Sequence, residues 1–396
     1  MELAAKIVFW SSALAVVYAY VGYPLLLVLA DRVRRREVRR GACEPTVSFI
    51  ITAYNEERDL AAKLENTLAL DYPREKLEII VASDCSTDKT DDIARSFAAR
   101  GVRLHRQERR LGKTAAQNAA VELARGEVIL FSDATTDYRP DVLRALVPNF
   151  ADPTVGCVAG RLLYLDPESD GTNVGRGARA YWDYEVFLKE RESRVNSLIG
   201  VSGCLYAVRR AAYVPLYIEA GSDFVIATKM VEQGLRAVYE PAAVCTEETN
   251  RRPGKEFRMR VRVITQTISD LARHRAMLNP LRGGFYAVQL LSHKVARYLV
   301  PFFLVATFAA SAYLAAAGSY LYAAALAAQL CFYLAACAAW VLERAGVESR
   351  LLSLPQYFVL ANLAAVIAFY EYLRGERYTT WETARAGEAS GAGGGK

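Results

Sequence analysis

VSFIITAYNEE, residues 47–57, runs seven strand-forming residues straight into a polar cluster. The pattern returns twice. LEIIVAS (77–83) ends in Asp84-Cys85-Ser86-Thr87-Asp88, and EVILFS (127–132) ends in Asp133-Ala134-Thr135-Thr136-Asp137. Short runs rich in Val, Ile and Phe, without polar alternation, are the pattern of strands buried on both faces. Helical spacing at about 57–69, 88–99 and 113–124 separates them. This alternation predicts an α/β domain around a parallel sheet, with helices over both faces. In such sheets ligands bind beyond the carboxyl ends of the strands, where the polar clusters fall.

Carboxylates at neighbouring strand ends repel one another unless donors or a cation meet them. Any one cluster alone reads equally well as a helix N-cap, a position that favours Asp, Ser and Asn. Three in the same register favour a ligand site. Two nucleotide motifs fail: GxGxxG is absent after the first strand, and Gly112-Lys113-Thr114 imitates a P-loop with Gln107 where glycine is required. Lys113 remains a cation able to neutralise a diphosphate.

Outside this domain the chain turns apolar. Of 396 residues 53% are hydrophobic and only 23% charged, and residues 7–30, 298–342 and 351–370 contain no Asp, Glu, Lys or Arg. A bilayer span takes about 20 apolar residues, so the middle block holds two, divided at Gly318-Ser319. Residues 7–30 are too long for a signal peptide and lack a small-x-small cleavage site, so they read as an anchor. Pro355 leaves the last block open between a fourth span and a re-entrant segment. Asp31–Arg40 carries six arginines against two acids beside the first span, which places the polar domain in the cytoplasm. Arg282, Lys294 and Arg297, ahead of the second span, agree. The net charge of +6 clusters near these segments, pointing to lipid headgroups and away from nucleic acid. Spans without interior charge argue against a transporter.

The expected division is an anchor (1–30), a basic linker (31–44), a cytoplasmic domain (45–250), interface helices (251–297), about three spans (298–374) and a tail (375–396). The Gly/Ala/Ser sequence from Gly387 predicts disorder. Phe257, Val261, Ile264, Ile268 and Leu271 form an apolar helical stripe, expected on the membrane surface or within an ordinary domain helix. Seven cysteines without a CxxC pair fit a reducing compartment and no structural zinc.

The motifs together resemble the membrane-embedded branch of the family 2 glycosyltransferases, which holds cellulose, chitin, hyaluronan and poly-N-acetylglucosamine synthases and ceramide glucosyltransferase. The resemblance covers about residues 45–300. It rests on VSFIITAYNEE, SDCSTDKT (83–90), GKTAAQNAAVELARGEVILFSDA (112–134), GVSGCLYAVRR (200–210), SDFVIATKMVEQGLRAVYEP (222–241) and RMRVR (258–262). It implies a GT-A, Rossmann-like fold and an inverting enzyme of the inner or plasma membrane. Such an enzyme moves sugar from a nucleotide-sugar donor, a UDP-sugar above all, to a glycan or lipid acceptor.

Carried over by position, the resemblance makes Ala53, Tyr54, Glu56 and Asp84 nucleotide contacts, and Lys113 and Arg262 diphosphate ligands. Asp133 becomes the holder of Mg²⁺ or Mn²⁺, and Asp223 the catalytic base. Gly203, Cys204 and Trp182 fall on the acceptor side. Tyr181, Trp182 and Tyr184 read equally as sugar-stacking faces or as core packing, and Asp223 also suits a helix N-cap. The departures are Thr135 in place of the second Asp of DxD, Ser222 before the base, and Met259 and Val263 for the Gln and Trp of QxxRW. The missing Trp leaves chain lengthening open. Thr135 raises the alternative of a non-catalytic nucleotide-sugar sensor or scaffold subunit.

Overall fold

The computed structural model describes residues 1–165, 173–248, 253–345, 347, 349 and 351–380. The tail from Gly387 lies outside the described residues. Two compact units result: Met1–Arg35 with Asp166–Val195 and Arg251–Glu376, and Arg36–Leu165 with Asn196–Asn250 and Arg377–Lys396.

The second unit is built on one eight-stranded sheet. Its strands are β1 (Val47–Ala53), β2 (Leu77–Ser83), β3 (Val102–Arg106), β4 (Val128–Asp133), β5 (Asp137–Tyr138), β6 (Val155–Leu165), β7 (Leu205–Arg209) and β8 (Arg236–Glu248). They lie in the order β3-β2-β1-β4-β7-β6-β8-β5. Every residue of β1 is buried, as is nearly all of β2 and β4. Such strands need cover on both faces, which helices Leu60–Leu68, Thr90–Ser96 and Lys113–Leu123 supply, the first two as crossovers between parallel neighbours and the third linking β3 to β4 past β2 and β1.

The sheet is not parallel throughout. β7 runs antiparallel to both β4 and β6, and β5 runs antiparallel to β8. The expected parallel pairing therefore holds among β1 to β4 and again between β6 and β8, with β7 and β5 antiparallel. The mixed half escapes sequence patterning because its strands pair across long intervals of chain. Phe131 and Tyr206, on the paired strands β4 and β7, stack with ring centroids 4.9 Å apart. Burying rings of this size stabilises a core by about 1.5–3 kcal/mol each.

The first unit is helical. Among the described residues four helices are long and apolar enough to cross a membrane: Glu2–Val33, Phe285–Ala316, Tyr320–Arg344 and Ser353–Leu373. Pro355 stands in the first turn of the last, which is continuous over 21 residues. There a missing N–H costs no internal hydrogen bond. Two of the helices contain a π turn, Tyr18–Gly22 and Leu291–Val295. The helix Asn173–Val195, inside the range expected to belong to the polar domain, clusters with these apolar helices. The apolar stripe of helix Pro253–Arg273 is as expected, and its cover is protein: Val261 and Ile268 pack with Ala364 and Ala368 of the helix Ser353–Leu373.

Candidate functional site

Sheet register gathers the polar clusters. Ala53 pairs with Ser83, and Thr52 with Asp133, so Tyr54, Asp84 and Asp133 all emerge at one edge of the sheet. β4 and β7 pair Ser132 with Leu205, which sets Cys204 beside Asp133. β5 and β8 pair Asp137 with Thr246, which brings Glu247 to the same turn. The backbone bends sharply here. Asn55 and Cys85, just past β1 and β2, have φ of 53° and 60°. Such angles are uncommon outside glycine and recur at functional sites. The Asn55 side chain steadies the bend by accepting the Thr87 amide at 2.8 Å.

The three predicted acids converge on one dipeptide, Gly112-Lys113. Asp84 is fully buried, and its two oxygens accept the amides of Leu111 (2.8 Å) and Gly112 (3.0 Å). It thus ties the turn before the helix Lys113–Leu123 to the end of β2, with a second lone pair left on each oxygen. Gly112 has φ of 99°, and a Cβ there would come within 1.9 Å of the Thr379 carbonyl, so only glycine fits.

Lys113 reaches from that turn to form an ion pair with Asp133. A Cβ on Gly203 would lie 3.5 Å from the Lys113 ammonium and 3.8 Å from the Asp223 Cβ, so these three residues adjoin. Burial works against charge on Lys113, but Asp133, with Asp223 adding to it, holds the ammonium above its ordinary range. Thr114 donates to the Ala220 carbonyl at 2.8 Å and Asn118 to the Leu216 carbonyl at 2.7 Å. These bonds fix the Lys113 helix against the segment that delivers Asp223.

Asp223 lies in the first turn of the helix Ser222–Glu232, whose N-cap is Gly221. Its Oδ1 accepts the Phe224 amide at 3.0 Å, and its carbonyl accepts the Val201 amide at 2.7 Å. Tyr54 stacks its ring under the Arg110 guanidinium at 3.8 Å. The Glu56 amide donates to Thr90 Oγ1 at 2.8 Å. Cys204 is buried, its carbonyl accepts the Tyr138 hydroxyl at 2.5 Å, and its sulfur lies 3.7 Å from that of Cys245. Arg262 and Trp182 belong to the other unit, on helices Pro253–Arg273 and Asn173–Val195. There Trp182 lies under the Lys189 ammonium, 5.0 Å from the ring centre, while Tyr181 packs on Tyr357.

Glu247 is a candidate site residue that sequence reasoning missed. Thr135, at the place of the absent second aspartate, donates to Glu247 Oε1 at 2.9 Å. Burial, and then the charge of Asp133, push the Glu247 carboxyl above its ordinary range. The residues pair across 112 positions of chain, and no local pattern flags one glutamate of the run Thr246-Glu247-Glu248. Among the described residues no group of three or more His, Cys, Asp or Glu is placed to hold a metal by itself. The donor set is a pair of acids with a threonine hydroxyl between them, and a lysine ammonium already sits on one of the acids.

Comparison with known proteins agrees with this geometry. Residues 48–214 match the model of Glycosyl transferase family 2. The chain is 27% identical over 215 residues to a beta-monoglucosyldiacylglycerol synthase from Nostoc, a match covering 53% of this chain and 46% of that protein. It is 26% identical over 226 residues to the poly-beta-1,6-N-acetyl-D-glucosamine synthase of Staphylococcus aureus, covering 54% and 53%. The chain thus spans about half the length of the curated relatives it matches. A solved structure, the mannosyltransferase PcManGT from Pyrobaculum calidifontis in complex with GDP-Man and Mn²⁺, superposes with a TM-score of 0.70. It is 25% identical, over 92% of this chain and 99% of that one. Residues 48–214 thus form a Glycosyl transferase family 2 domain with a GT-A-like fold, and the described residues add four apolar helices of membrane-spanning length.

Proposed function

We propose that this protein transfers a sugar, with inversion, from a nucleoside-diphosphate sugar to an acceptor held at the membrane, using a divalent metal and Asp223 as general base. The observation that carries the proposal is the meeting of Asp133, Asp223 and Gly203 around the Lys113 ammonium. A cation between separate carboxylates, beside an open glycine, suits a departing diphosphate on one side and a hydroxyl nucleophile on the other.

The acceptor oxygen attacks the anomeric carbon and gives its proton to Asp223. As the new C–O bond forms, the bond to the donor phosphate breaks, and its electron pair leaves with the nucleoside diphosphate. General-base assistance of this kind is worth about 10²–10⁴ in rate. Lys113 offers a charge-assisted bond to the leaving phosphate. Mg²⁺ or Mn²⁺, when bound, neutralises charge on the diphosphate, and Asp133 with Glu247 offers the oxygen donors that such hard cations take. The remaining ligands come from the donor phosphates and water. Glu247 also weighs against the non-catalytic alternative, since Thr135 does not leave the turn with a single acid.

The acceptor is a lipid or a lipid-held glycan, in keeping with the synthase names of the relatives, and the apolar helices hold the catalytic domain at the cytoplasmic face of the membrane. The test is a donor screen on the full chain in detergent, with UDP- and GDP-sugars and Mn²⁺, reading nucleotide release and then product mass. A ladder of products indicates chain lengthening, and one glycolipid indicates single transfer. Full turnover in Asp223→Asn would remove the assignment of the base.

A further inference from the structure

Lys63 is a lysine with 1% of its surface exposed, in the helix Leu60–Leu68 just after the Tyr54–Glu56 segment. Its ammonium donates to the Thr136 carbonyl at 2.6 Å, lies 3.3 Å from Thr136 Oγ1, and faces the Tyr138 ring 3.5 Å from its centre. Burying an amine costs several kcal/mol, and the volume of the side chain could be filled by an apolar residue, so the polar contacts of the ammonium are what a lysine adds here. Core packing therefore gives no reason for a lysine at this position.

The reason lies in what Lys63 holds. Thr136 Oγ1 donates to the Asp133 carbonyl at 3.0 Å, and Ser132 Oγ donates to the same carbonyl at 2.9 Å. One turn further along the helix, Asn66 donates to the Tyr138 carbonyl at 2.9 Å and accepts the Tyr138 amide at 2.9 Å. Tyr138 in turn bonds the Cys204 carbonyl, beside Gly203. Lys63 and Asn66 therefore grip successive backbone groups of residues 136–138. That segment follows Asp133 and Thr135 directly, and it carries the link to the acceptor-side loop. Three carbonyls and an amide are met by side chains of one helix face and their immediate partners, which leaves the Asp133 turn little freedom.

We propose that Lys63 is a positioning residue for the Asp133–Thr135 turn, setting the distance between Asp133 and Glu247 at which a divalent cation binds with the donor diphosphate. The inference rests on the metal-dependent reading above. Metal-site groups outside the ligand shell are typically worth about 10–100-fold in affinity.

The experiment measures Mn²⁺ affinity of the full chain in detergent with UDP or GDP, from the electron paramagnetic resonance signal of free Mn²⁺. Lys63→Met is expected to weaken Mn²⁺ binding by about tenfold and to raise the donor KM, with circular dichroism unchanged. Thr136→Val, which loses the hydroxyl bridge, weakens binding in the same direction, and Thr136→Ser restores it. These last two variants decide the matter if Lys63→Met does not fold. Asp133→Asn serves as the reference. If it keeps wild-type Mn²⁺ affinity, the metal reading falls and the inference falls with it. If it loses Mn²⁺ while Lys63→Met and Thr136→Val bind as tightly as wild type, the inference alone is overturned.

Discussion

In the sheet unit Lys113 and Asp133 form an ion pair whose side chains keep 24% and 31% of their surface exposed; in the helical unit Arg297 and Glu185 form one that keeps 8% and 9%. The second pair belongs to a closed group. His293 places Nδ1 2.7 Å from Glu192 and Nε2 3.1 Å from Glu185, and Tyr23 donates to Glu192 at 2.5 Å. Three of the four carboxylate oxygens accept bonds, and two acids face an arginine and an imidazole. Burial pushes the Glu185 carboxyl up, yet Arg297 and then His293 hold it well below its ordinary range. The group joins the helix Asn173–Val195 to two long apolar helices beside both of their π turns. Charge that is paired internally and sealed from water ties helices to one another. Charge left half-open, with acids outnumbering cations, has bonding capacity to spare for a ligand. Residue type alone does not separate the two cases; satisfaction and exposure do.

That division makes variants of the two groups fail differently. The largest effect is expected from Asp223→Asn, with turnover down about 10²–10⁴ and melting temperature unchanged, as read by nucleotide release and a thermal shift in detergent. Next comes Arg297→Met, which strands Glu185 beside His293. Removing one partner of a buried pair costs about 3–5 kcal/mol, so the melting temperature falls while the molecules that remain folded turn over normally. Lost turnover at an unchanged melting temperature would break the contrast. A smaller effect is expected from Glu247→Gln. Mn²⁺ binding in the presence of nucleotide weakens by about tenfold or more with little change in stability, and calorimetric titration reads it.

A separate prediction concerns pH. Burial pulls the Lys63 ammonium down to about 7, with the acids Asp137 and Asp133 pulling the other way. An unfolded lysine titrates near about 10.4. Between those values the unfolded chain holds a proton that the folded chain lacks, so stability rises with pH. Below about 7 both states are protonated and the contribution is flat. Relative to Lys63→Met, the wild-type protein should gain melting temperature between about pH 7 and 10 and show no such gain between pH 5 and 6.5. Parallel curves for the two proteins would show that Lys63 keeps an ordinary proton affinity.

Much of the catalytic half was legible in the sequence because its signals are local. VSFIITA and LEIIVAS are strands to the residue, EVILFS is displaced by one, and Gly318-Ser319 divides two apolar helices. The meeting of Asp84 and Asp133 follows from strand ends in register, whereas Asp223 arrives on a helix start tied to the Lys113 helix. The mixed half gave no such signal, since β7 bonds antiparallel to β4 and β6 while β8 runs parallel to β6 and reaches back to β5. Lys63 reads as an exposed helix position until Tyr138 is folded over it. Arg297, expected as a flank facing lipid headgroups, is buried against Glu185, which lies 112 residues earlier.

Hydrophobic periodicity and turn chemistry act over a few residues, so the sequence by itself determined β1, β2 and β4, the crossover helices, the apolar helices and the acids at those strand ends. Which charges are sealed and which stay open depends on chain segments about a hundred residues apart. Such pairings carry no local preference, and they exist only once burial has removed water from around them. The tertiary structure alone therefore decided that Glu247 stands behind Thr135, that Lys63 grips the turn after Asp133, and that His293 lies between two buried glutamates.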